Sequence, residues 1–171
     1  MVEIEIPENY PHREGHLPDM QVVFLDLYRL LTIFLASRHL AELRSETNID
    51  PITALQDPEM DEITRILIST AVIARIIDDR DNHFLSQQNT ECGWLIKNLE
   101  NPDEKCDLTL REACNKIIHA KKIRTDLEVE NHKSYLNPMM YFYGTHRDIE
   151  WKACLDIVEF VKKYYENLQH A

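Results

Sequence analysis

Arg111, Asn115 and His119 recur at i, i+4 and i+8 within the run Leu110-Arg111-Glu112-Ala113-Cys114-Asn115-Lys116-Ile117-Ile118-His119-Ala120. On a helix that spacing places them on one stripe roughly 80° wide, beside the apolar face. A guanidinium and an amide next to an imidazole can hold a phosphate and move a proton. Arginine matches phosphate oxygens with a planar fork of donors, and histidine changes charge near neutral pH. Arg111 also falls in the first helical turn, where unpaired N–H groups and the positive dipole end add to its charge. The same residues have a structural use. Asn115 and His119 can satisfy backbone groups of a neighbouring loop, and Arg111 can pair with a carboxylate. Spacing alone leaves both uses open.

Two other clusters have weaker chemistry. Asp79 and His83 stand at i, i+4 and could share a divalent metal, but the sequence offers no third ligand; alternating charge at a helix end is also what a solvated surface shows. Tyr141-Phe142-Tyr143 could stack on a base, or pack as part of a hairpin. Cys114 and Cys154 fall on apolar faces and read as small buried hydrophobes, and none of the four cysteines forms a CxxC pair.

The elements that must position these residues are mostly helical in period. Residues 1–18, with Pro7, Pro11 and Pro18, read as an extended arm with a short edge strand at Val2–Ile6, ahead of a single domain over 19–171. Asp19 caps a first helix whose apolar residues Val23, Leu27, Leu30, Leu31 and Phe34 follow helical spacing to about Leu43. A polar linker covers Ser45–Asp57. Asp57-Pro58-Glu59 starts a second helix that runs to about His83, with a stripe of Met60, Ile63, Leu67, Ala71, Ala74 and Ile77. A short helix is expected around Gly93–Leu99, and Thr109 with Glu112 forms a capping box that opens a third. Leu110 and Ile117 face its core. Ile123, Thr125, Leu127 and Val129 then alternate with charged residues as a strand. Asn137-Pro138 turns the chain, Met139–Tyr143 is a second strand, and Arg147–Leu168 is a last helix. The fold class read from this order is mostly α: an antiparallel bundle of four main helices with a small two-stranded β-hairpin before the last helix.

Composition narrows the functions. The 171 residues are 44 % hydrophobic and 29 % charged, which suits one packed domain. Three glycines are too few for a Gly-rich phosphate loop or a dinucleotide fingerprint, so no cofactor is implied. The net charge of −11 means that any basic surface is local and weighs against an anionic membrane. The apolar stretch Val22–Ala36 is interrupted by Asp26, Tyr28, Arg29 and Thr32, so no membrane span is expected. With no secretory signal at the start, a cytoplasmic location is expected. Acids and bases are interspersed, which disfavours a charge-mimicking inhibitor.

The run LREACNKIIHA, the Phe142-Tyr143-Gly144 step, Trp151 and a terminal helix resemble a group of uncharacterised bacterial proteins, which in turn are similar to HEPN-type helical domains. The resemblance covers mainly residues 108–168. HEPN domains are helical bundles, often dimeric, and many are metal-independent ribonucleases of defence and toxin systems. Their mark is an arginine followed, after four to six residues, by a histidine on the same helix; here the gap between Arg111 and His119 is seven residues, with Asn115 midway. The resemblance implies a protein that binds or cleaves RNA, with His119 moving the proton, Arg111 stabilising the phosphorane charge and Asn115 orienting the phosphate. The alternative is a non-catalytic module that forms a homodimer or binds a protein partner.

Overall fold

A computed structural model describes residues 19–45, 50–81, 85 and 90–169. Helix α1 spans Met20–Leu43, α2 Pro51–Gln56 and α3 Glu59–Asp81. Strands β1 (Glu91–Ile96) and β2 (Lys105–Thr109) precede α4 (Leu110–Ile118); β3 (Lys122–Glu130), β4 (Lys133–His146) and β5 (Ile149–Asp156) lead into α5 (Ile157–Leu168). The strands form one antiparallel sheet in the order β2-β1-β5-β4-β3.

Helices α1, α2 and α5 each start on a capping carboxylate. The Asp19 carboxylate accepts the Gln21 N–H at 2.9 Å, and the Asp50 carboxylate accepts Thr53 N–H at 2.8 Å ahead of Pro51. Those bonds hold the Asp50 carboxyl down at about 2. Asp156 ends β5 and caps α5, accepting from Val158 N–H at 2.9 Å and Glu159 N–H at 3.1 Å. The charge inside the apolar run of α1 is matched across the helix pair: buried Asp26 accepts from both terminal nitrogens of Arg65, at 2.7 and 3.1 Å. By length and composition α1 could cross a bilayer, and its Val23, Leu27, Leu30 and Phe34 are buried in the core.

The helices cover one face of the sheet. Leu95, Ala153 and Phe142 share a row on that face and join α1 and α3 residues, Leu110, Ile117, Phe160 and Tyr164 in one apolar cluster. The Tyr164 hydroxyl donates to the Thr70 carbonyl at 2.8 Å and ties α5 to α3.

The mostly α bundle expected from the sequence is overturned by the five-stranded sheet, and the all-α description with it. The short helix expected at Gly93–Leu99 is β1, and β2 went unrecognised. The first half of the expected last helix is β5. Trp151, Cys154, Leu155 and Val158 fit helical spacing, yet Ile149, Trp151, Ala153 and Leu155 equally fit strand alternation; sheet pairing on both sides of β5 decides between them. The hairpin is longer than expected, with Asn137-Pro138 inside β4 rather than at its turn. The turn is Asn131-His132, both with positive φ, as a two-residue hairpin requires. The linker 45–57 contains α2. The N-terminal arm and its strand, with His83, lie outside the described residues.

Candidate anion-binding cleft between α4 and the β4–β5 hairpin

Helix α4 starts where the sequence marks it. Thr109 Oγ1 accepts the Glu112 N–H at 3.4 Å, and Leu110, Ala113, Cys114 and Ile117 are buried. The helix has nine residues, so Arg111 stands in its first turn and His119 caps its end. Between these two positions the helix turns through about 80° and advances about 12 Å. The structure separates the three stripe residues accordingly.

Arg111 faces α3. Its guanidinium bonds the Asp78 carboxylate, which is 1 % exposed. Asp78 also receives Arg75 at 3.3 Å and the Leu85 N–H at 3.0 Å. A buried carboxylate with two guanidiniums and a backbone donor is a satisfied structural node. Asp79 meets Arg75 at 3.2 Å. Among the described residues no cluster of three or more His, Cys, Asp or Glu could hold a metal.

Asn115 and His119 open instead into a cleft of about 670 Å³. Its cationic wall is Lys97, after β1, with Lys116 and Lys121; His146 ends β4 on the hairpin side, next to Thr145. Glu112 is the one carboxylate among the residues lining it. Lys116 is held: its ammonium lies 3.1 Å from Glu112 and 4.5 Å over the Trp151 ring. Lys121 Nζ donates to Thr145 Oγ1 at 2.6 Å, and its backbone N–H bonds the Tyr143 carbonyl at 2.8 Å. His119 and His146 are both exposed.

Gly144 lies where β4 passes the Trp151 ring and the end of α4. A Cβ there would lie 2.2 Å from the Trp151 ring and 3.0 Å from the His119 carbonyl oxygen. Only glycine lets the buried indole and the end of α4 close on β4 at this point. Further along, Arg147 and Asp148 take positive φ in the tight β4–β5 turn that directly follows His146. Past Lys121 and Thr145 the surface becomes acidic, with Glu100, Asp148 and Glu150 lining an adjoining hollow.

Lys97, Lys116, Lys121, His146 and Trp151 were not read as site residues from the sequence. The signal for them is the alternation across β5, which implies a β4–β5 hairpin and so brings His146 and Trp151 to α4. The cysteines are as their apolar settings imply. Burial pushes the Cys114 thiol up to about 12 and Cys154 up to about 11.

Comparison of the chain with protein-family models, curated proteins and solved structures found no match. The HEPN resemblance therefore rests on the residues that carry it.

Proposed function

We propose that this protein binds RNA through the cleft between α4 and the β4–β5 hairpin and cleaves it without a metal. The carrying observation is the convergence of three lysines, two exposed histidines and Asn115 on one cleft, in a chain of net charge −11. A phosphodiester is the ligand whose charge and shape such a wall complements. One imidazole takes the proton of the ribose 2′-hydroxyl as that oxygen attacks phosphorus. The other gives a proton to the 5′-oxygen as the P–O5′ bond breaks. The products are a 2′,3′-cyclic phosphate and a 5′-hydroxyl end, and water is not consumed. The lysines take the charge-stabilising role first assigned to Arg111, and the Asn115 amide orients a phosphoryl oxygen.

The test is incubation with RNAs of varied sequence in the presence of a chelator. Wild type should leave cyclic-phosphate ends, and His119→Ala or His146→Ala should slow cleavage about 10²–10⁴-fold. Cleavage indifferent to both substitutions, or none by the wild type, would overturn the catalytic reading.

A second reading, a dimerisation module, is favoured by Ile68, Val72 and Ile76, which form an exposed apolar stripe at i, i+4 and i+8 on α3. Light scattering should then show a dimer that Val72→Glu dissociates; a monomeric wild type removes that reading.

A further inference from the structure

The sheet face turned away from the helices has a composition of its own. Two neighbouring rows cross all five strands: Lys105–Ile96–Lys152–Tyr143–Lys122 and Asp107–Trp94–Cys154–Tyr141–Arg124. They carry four cations and one carboxylate, where the next row on the helix side is Cys106–Leu95–Ala153–Phe142–Ile123. Lys152 lies at the centre, its ammonium 5.4, 4.6 and 5.6 Å from the ring centroids of Trp94, Tyr141 and Tyr143. Lys105 stands 4.6 Å over Trp94, and Arg124 5.6 Å over Tyr143. Trp94 and Tyr141 are 6.4 Å apart, tilted by 58°. The Tyr141 hydroxyl donates to Asp126 at 2.6 Å, which fixes that ring. All three rings are partly exposed.

We infer that this face is a stacking platform for single-stranded RNA. Trp94, Tyr141 and Tyr143 take bases; Lys105, Lys122, Arg124 and Lys152 take phosphates. Stacking on aromatics needs no particular base, and interleaved cations supply the backbone attraction, so the ligand is a single strand held with little sequence preference. A duplex hides its base faces and has nothing to stack. The positive rows in a chain of net charge −11 provide the charge complementarity. The inference rests on the RNA reading above for the choice of RNA and deepens it. Lys122 and Lys152 follow Lys121 and Trp151 of the cleft in sequence, and strand alternation turns them to the opposite face of the sheet, so platform and cleft are separate surfaces.

The experiment is fluorescence anisotropy with a labelled 2′-O-methyl RNA 12-mer, which cannot be cleaved, on wild type, Trp94→Ala, Tyr143→Leu, Lys152→Ala and Lys121→Ala. Each ring variant should weaken binding about 5- to 150-fold, and Trp94→Phe should restore most of the loss of Trp94→Ala. Lys152→Ala should lower the slope of log affinity against log salt by about 0.7. A duplex of the same sequence should bind far more weakly. Binding equal to wild type in folded Tyr143→Leu and Trp94→Ala proteins overturns the platform. If that happens while Lys121→Ala still weakens binding, the cleft reading stands alone. If the ring variants weaken binding while no RNA is cleaved and Lys121→Ala has no effect, the platform stands and the cleft reading falls. No binding by the wild type overturns both.

Discussion

At its first turn, α4 directs Arg111 to α3 and its Asp78 carboxylate, which Arg75 and the Leu85 N–H also meet; at its last, the same helix directs Asn115 and His119 into an open cleft lined by lysines. The two ends carry similar polar chemistry, yet only one is paired with a buried carboxylate. At the Arg111 end the guanidinium is engaged by a buried carboxylate that two further donors also meet. At the His119 end the imidazole is exposed and the cations outnumber the single carboxylate. A polar stripe on a short helix is therefore not one site. The rotation of about 40° between i and i+4 is enough to hand its members to different neighbours.

The contrast breaks most sharply through paired substitutions. His119→Ala should abolish most cleavage and leave the melting temperature within error. Arg111→Ala should do the reverse, lowering stability by about 1–3 kcal/mol because Asp78 keeps only part of its charge compensation. RNA cleavage and thermal melts on both variants check this, and swapped outcomes would exchange the two assignments. Leu110→Ala, at the fully buried start of α4, should cost about 2–5 kcal/mol by denaturant titration; an unchanged midpoint would mean that the helix is seated on another face. Lys97→Ala and Lys121→Ala act only on the open end. Each should lower the salt slope of single-strand binding by about 0.7 without moving the melt. The smallest contrast is between thiols. Burial pushes Cys114 up to about 12 and holds Cys92 well above the ordinary thiol range, so at pH 8 a maleimide should label partly exposed Cys106 and spare both; mass spectrometry after brief labelling reads this. Linkage gives the accompanying sign. Between pH 9 and 12 the unfolded chain releases the Cys114 proton that the folded chain keeps, so that group's contribution to stability falls as pH rises.

What could be read in the sequence follows from which signals are local. Asp19 and the Thr109/Glu112 box mark helix starts through contacts within one turn, and α1 and α4 begin where they stand; α3 begins at Glu59, as Asp57-Pro58-Glu59 implies, although Asp57 itself ends α2. The sheet was harder. In β1 the neighbours Leu95 and Ile96 are both buried, so alternation is lost; in β5 the same residues satisfy both periods until Asp156 caps α5. An acid with Glu159 three residues on was the available mark of that true helix start. For the site, α4 and its polar residues were legible, because spacing is a property of one helix. The division between Arg111 and His119 was not, because it depends on which element faces each end. The lysines and His146 reach the cleft only through sheet pairing. Even Gly144 reads as a strand end in sequence, while its structural reason is the Trp151 ring of the next strand.

The most direct measurement is an NMR titration of uniformly ¹⁵N-labelled protein with a short 2′-O-methyl RNA, following the imidazole nitrogens and the arginine Nε–H signals together. The account predicts that His119 and His146 shift along one binding curve while Arg111 Nε–H stays in place. Movement of Arg111 with both histidines unperturbed would contradict it.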